Sequence, residues 1–206
     1  MKIPLSFYQN SDVVSLAKAL IGKHLFTYIG GVITAGMITE TEAYAGVTDR
    51  ASHAFGERRT ERTKVMYANG GISYVYLCYG VHYLFNVVTG RKEEPHAVLI
   101  RAVYPTVGFE KMLERTNKTG INFKLSDGPG KLSKALGISS KHNGLKLDGD
   151  VIWIEELQNN IKDEDILVTE RIGVQYAGED AKLPYRFLLK PEFFQKKERL
   201  NNSGAL

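Results

Sequence analysis

The segment MITETEAY (37–44) carries the densest chemistry in the chain. In an extended strand alternate side chains face opposite ways, so Ile38, Glu40, Glu42 and Tyr44 are expected on one face and Thr39, Thr41 and Ala43 on the other. A carboxylate removed from water is costly unless it is paired or used. The pattern therefore fits either a solvated face at a sheet edge or a site. In the second case partial burial would bring a carboxylate towards the range of a useful general base, with Tyr44 as an aromatic wall beside it.

Three further features could cooperate with such a base. In YVYLCYGVHYLFN (74–86), Tyr74 and Tyr76 share a strand face, as ordinary β-packing or as a stacking surface. Tyr79, just before Gly80, falls at a hairpin tip, where it either caps the turn or serves as a wedge for a base stack. RASHAFGERRTERTK (50–64) sets five Lys/Arg against two Glu around His53 and Phe55. That is a solvated charged face or a nucleic-acid contact surface. Arg101 interrupts the apolar run HAVLIRAV and needs a carboxylate or a reactant as partner. GPGKL (128–132) reads as a proline-initiated helix start, or as a helix N-terminus whose Lys131 faces a phosphate.

Other chemistries have no foothold. GxxxxGK[ST], strand-linked GxGxxG, CxxC and HExxH are absent, and the five histidines show no metal-ligand spacing. The reading is of an enzyme without metal or cofactor. The single cysteine, Cys78, excludes an internal disulfide, no apolar run reaches the length of a membrane span, and MKIPLSFYQNSD lacks a signal layout. A cytoplasmic chain, nucleoid-associated if bacterial, is expected. The net charge of +4 leans mildly towards polyanions.

One α+β domain over residues 1–190, with a curved, mostly antiparallel sheet and several flanking helices, would position these groups. Residues 11–21 suit a first helix with Ser11 as N-cap and Asp12 near its positive end. HLFTYI and VITAGMITETEAY suit two strands about Gly30-Gly31, and 46–71 a long loop with at most a short helix. ISYVYLCYGVHYLFNVV (72–88) suits a hairpin, and 96–103 a strand. Thr106 is expected to cap a helix over 107–116, and Gly128-Pro129 to open one that Gly137 closes. VIWIEE and DILVTERIGV suggest a final antiparallel pair. The tail 191–206 is expected to fray.

Taken in order, ETEAY, DRASHAFG, YVYLCYG, HAVLIRA, GPGKL and YAGEDAKLPYRF resemble the alkyladenine (3-methyladenine) DNA glycosylase family over about residues 20–190. The resemblance implies a monofunctional glycosylase of base excision repair that removes alkylated purines and leaves an abasic site. Matched onto the family's motifs, Glu42 activates water and Arg101 helps hold it. Tyr44, His53, Tyr74 and Tyr76 line the pocket for the extruded base, Tyr79 intercalates, and Asn86 crowds the exocyclic amine of normal guanine. A role for ERIGV does not follow.

The implied partner is double-stranded DNA carrying damaged purines, met by a monomer away from membranes, with Lys131, Arg58 and Arg59 as candidate backbone contacts. The expected substrates are 3-methyladenine and 7-methylguanine, then hypoxanthine and ethenoadenine. No lysine nucleophile is indicated, so a strand-cutting step is not expected. A non-catalytic nucleic-acid module would leave Glu42 and Arg101 without a task. An enzyme of free nucleosides would leave Tyr79 without one.

Overall fold

The computed structural model describes residues 1–120 and 125–194. Eight strands form one antiparallel sheet: β1 (His24–Ile29), β2 (Val32–Tyr44), β3 (Ile72–Cys78), β4 (His82–Thr89), β5 (His96–Val107), β6 (Ile152–Glu155), β7 (Ile166–Thr169) and β8 (Arg186–Leu189). The order is β3-β4-β5-β2-β1-β6, with β8 on β2 and β7 outside β8. The α+β expectation holds. The sheet forks along β2, whose first half pairs with β1 and whose second half, Glu40 to Glu42, pairs with β8. Glu40 and Glu42 therefore lie inside the sheet and are buried, which removes the solvated-edge alternative.

Period-2 alternation sorts β3, β4 and β5 into two faces. Val75, Phe85, Val87, Val98 and Ile100 face the main core with α1 (Leu5–Tyr8), α2 (Val13–Ala19), α3 (Phe109–Thr116) and α4 (Pro129–Leu136), which contribute Tyr8, Leu16, Met112, Leu132 and Leu136. Their neighbours Tyr74, Val88 and Ala97 form a smaller cluster on the other face with Ala54, Met66 and Tyr67. Those last three come from the loop 46–71, which contains only 3-10 turns and lies over this second face. Removing Tyr74, Met66 and their neighbours from water is what holds so long a loop down.

Several boundaries depart from the sequence reading. The first long helix spans Val13–Ala19, and its cap is Asp12, whose carboxylate accepts the Ser15 backbone N–H at 3.0 Å. Ser11 instead donates to Glu94 at 2.7 Å. The strand from His96 runs on to Val107, so Thr106 remains extended and caps nothing. The turn into α3 falls on Gly108 at φ 75°, where a Cβ would stand 2.4 Å from the Ile33 carbonyl oxygen; only glycine fits that approach. Pro129 and Gly137 do bound α4. VIWIEE and DILVTERIGV contain strands but do not pair with each other: β6 adds to β1 and β7 to β8. Between them Asn159 donates to the Gly22 carbonyl, just ahead of β1. Of the tail after Pro191, Phe194 stacks on Tyr104 with ring centres 5.8 Å apart, and 195–206 lie outside the described residues.

Candidate active site

The register sets Arg186, Glu42, Leu99, Asn86 and Tyr74 opposite one another on β8, β2, β5, β4 and β3. Directly paired residues share a face. The row thus brings residues from both ends of the chain onto the surface beneath the loop 46–71. Two of the three slips in the β2–β5 ladder adjust it: Ile38 pairs with Val103, Glu40 with Ala102 and Thr41 with Ile100, leaving Thr39 and Arg101 unpaired. A bulge re-aims side chains. The slip at Thr39 takes Ile38 off the glutamates' face and into the main core, against the simple alternation. The slip at Arg101 lets its guanidinium lie across both acids, with Nε donating to Glu40 at 2.7 Å and Nη1 to Glu42 at 3.2 Å.

Glu42 has no exposed surface. Its Oε2 accepts from the Tyr44 hydroxyl at 2.8 Å and from Arg101, and its Oε1 accepts the Ile172 backbone N–H at 2.7 Å. These donors compensate for burial of the anion. Glu40 is held by Arg101 and by Arg186 Nε at 2.6 Å. Burial works against the charge of Arg101, but Glu42 and Glu40 outweigh it and hold its pKa above the ordinary value. Burial, reinforced by Glu42, raises the Tyr44 phenol well above its usual range, so Tyr44 is a donor and not an anion.

Tyr44, Arg101 and Ile172 line a cleft of about 650 Å³, placing the carboxylate one layer behind its wall. Opposite stand His53, Tyr74 and Tyr76. His53 Nδ1 and the Tyr74 hydroxyl are 2.8 Å apart, and the His53 and Tyr76 rings meet edge-on at 4.7 Å. Burial, then Arg62 and Arg58, push the His53 pKa down to about 4, so the ring is neutral at neutral pH. Asn86 also lines the cleft and is buried, its amide donating to the Tyr74 carbonyl at 3.0 Å. Its Oδ1 bonds with none of the described residues, which suits an acceptor facing the cleft.

At the mouth, Tyr79 is 94% exposed with φ 50°, and Gly80 follows at φ 70°. A left-handed tyrosine is strained, and such strain commonly accompanies function. α4 abuts this hairpin, since a Cβ on Gly130 would stand 2.8 Å from the His82 ring, and its Lys131 reaches the cleft. Lys131, a candidate phosphate contact from the sequence, thus lines the cleft. Arg58 and Arg59 do not line it. Arg59 pairs with Glu93 and lies over the Tyr67 ring at 3.9 Å. Arg62 does line it, 4.5 Å above the Tyr76 ring.

Sequence reasoning passed over Arg62, Asp49, Ile172, Tyr176 and Arg186. Ile172 contributes a backbone N–H, and Arg186 acts through a long-range pairing; neither leaves a local signal. Among the described residues no group of His, Cys, Asp or Glu is placed to hold a metal ion, and no helix is long and apolar enough to cross a membrane.

Buried Glu40 and Glu42 thus stand behind an aromatic cleft that Tyr44 and Arg101 line, with Tyr79 exposed at its mouth. Residues 6–192 match the family model described as methylpurine-DNA glycosylase. The chain is 47% identical over 188 residues to a protein of Chlamydia felis, covering 91% of this chain and 95% of that one. It is 44% identical to one of Chlamydia pneumoniae (90% and 94% covered) and 43% to one of Bacillus cereus (96% and 100%). Each of the three bears the name "Putative 3-methyladenine DNA glycosylase". The chain belongs to the methylpurine-DNA glycosylase family and is a DNA glycosylase of base excision repair.

Proposed function

We propose that this glycosylase extrudes alkylated purines, 3-methyladenine and 7-methylguanine first and hypoxanthine and ethenoadenine second, from double-stranded DNA as a monomer. It hydrolyses the N-glycosidic bond and leaves an abasic site. The observation that carries the reading is the Glu42–Arg101 pair set directly behind a cleft walled by Tyr44, His53, Tyr74 and Tyr76.

A base within a duplex is shielded on both faces and must leave the stack, at a cost of a few kcal/mol that is smaller for damaged or mispaired bases. Tyr79, exposed on its strained turn, fills the gap. The rings recover about 1–3 kcal/mol by stacking on the extruded base. An N3- or N7-alkylated purine is cationic, and a cation over a tyrosine face gains further. Asn86, which lines the cleft, crowds the exocyclic amine of normal guanine by its bulk. Lys131, Arg58 and Arg59 bind phosphates.

In the chemical step water attacks the sugar's anomeric carbon as the bond to the purine breaks, and Glu42 takes a proton from that water. A cationic purine departs neutral and needs no acid. General-base assistance of this kind supplies about 10²–10⁴-fold. The carboxylate also offsets the positive charge growing on the sugar, while Arg101 orients it. Glu42 stands one layer behind Tyr44, Arg101 and Ile172, whose bonds fix the direction in which its carboxylate faces. Side-by-side excision from duplexes carrying 3-methyladenine or hypoxanthine tests the ranking. Faster release of 3-methyladenine is expected; faster release of hypoxanthine would contradict it.

A further inference from the structure

Behind the cleft wall lies a second ion pair to which the reaction just described assigns no task. Arg171 and Asp49 are both buried, and they join by two parallel bonds, Nη1 to Oδ2 at 2.5 Å and Nη2 to Oδ1 at 2.9 Å. Arg171 also donates to the carbonyls of Ala43 and Asp180, each at 2.9 Å. Asp49 accepts the backbone N–H groups of Ala45 and Ala51, again at 2.9 Å. The pair therefore ties the end of β2 to the loop that follows it and to the segment 171–180.

Two consequences reach the cleft. Arg171 immediately precedes Ile172, whose N–H lies on Glu42 Oε1 at 2.7 Å; fixing the guanidinium fixes that donor and the rotation of the carboxylate. Arg171 also lies over the ring of Tyr44, 4.9 Å from its centre, and 5.2 Å from that of Tyr185. Tyr44 lines the cleft and Arg171 does not, so the guanidinium covers the ring's rear face. An uncompensated cation there would oppose a second cation on the front face. Asp49 supplies the compensation.

We propose that Arg171 and Asp49 are a positioning pair that holds the Ile172 N–H on Glu42 and keeps the rear of Tyr44 electrically neutral, so that its open face favours a cationic purine. The inference rests on the functional reading above and adds to it the source of the charge preference. An arginine–carboxylate fork is not replaced by lysine, which is a point charge without the planar geometry.

The test is single-turnover excision of 7-methylguanine and hypoxanthine from otherwise identical duplexes, with the binding constant for undamaged duplex measured in parallel. In Asp49→Asn the charge of Arg171 is exposed to the ring, and the rate on 7-methylguanine should fall about tenfold further than that on hypoxanthine, the scale of one cation–π contact. The double variant Asp49→Asn/Arg171→Gln removes both charges and should return the ratio of the two rates to near the wild-type value, with both rates still low. Loss of structure alone would lower both rates in proportion, and that result overturns the inference. Arg171→Lys guards against misfolding: its rate should drop about tenfold or more, as expected when a bidentate hold is lost, with duplex binding unchanged. A wild-type rate there would equally overturn it. A wild-type chain inert on both duplexes would sink the functional reading, whereas an active wild type with proportional losses would sink the pair's role alone.

Discussion

The carboxylate row and the hairpin tip are opposite solutions to the same task. Glu40 and Glu42 are buried and engaged: both oxygens of Glu42 accept hydrogen bonds, and Arg101 spans the two acids. At Tyr79 the ring is 94% exposed on a left-handed backbone and touches little. The row must hold charge in fixed geometry out of water, where groups already oriented are worth most. On the proposed reading the tip enters a duplex, and contacts within the protein would have to be broken first. The difference separates stability from activity along a single sheet.

Removing Arg101 should give the largest departure in stability. Arg101→Met leaves Glu42 with Tyr44 and Ile172, and Glu40 with Arg186, but strips a buried cation from two buried anions, at a cost of about 3 kcal/mol. Urea unfolding measures it, and a change below about 1 kcal/mol would show that the row is not electrostatically bound. Tyr79→Ser should change the unfolding free energy by less than about 0.5 kcal/mol. The same variant should slow excision of a paired lesion about tenfold, and that of an unpaired lesion less, because a wedge repays unstacking that only the paired lesion demands. Equal losses on both would place Tyr79 outside base extrusion.

His53 offers a finer division, because it belongs to the buried wall yet titrates. Burial and the nearby arginines lower its pKa to about 4 in the folded chain, against about 6.5 when unfolded. Between those values the unfolded state binds more protons, so stability falls as pH falls from about 6.5 to about 4. His53→Gln should flatten that part of the curve of melting temperature against pH. An unchanged slope would mean that His53 binds protons alike in the folded and unfolded chain.

Much of this arrangement was legible before any coordinates. Alternation put Glu40, Glu42 and Tyr44 on one face and Tyr74 with Tyr76 on another, Gly80 set Tyr79 at a turn, and the apolar run around Arg101 called for a carboxylate or a reactant beside it. It could not place Ile38, because a bulge at Thr39 changes parity without a mark in residue type. The strand 186–189 was missed: four residues that pair only with distant β2 and β7 carry too short a pattern to stand out. The fork from Arg171 to Asp49 joins residues 122 apart in the chain. Such pairing belongs to tertiary structure, and ERIGV kept its purpose hidden until the fold brought it against Glu42.

In the proposed mechanism Glu42 is the base that activates water. The direct measurement is the single-turnover rate of abasic-site formation in a 3-methyladenine duplex, read as alkali-induced strand breaks, for wild type and Glu42→Gln. Glutamine keeps the shape and loses the anion, so the rate should fall about 10²–10⁴-fold with duplex binding intact. Equal rates for the two proteins would contradict the assignment and leave the buried row a structural element only.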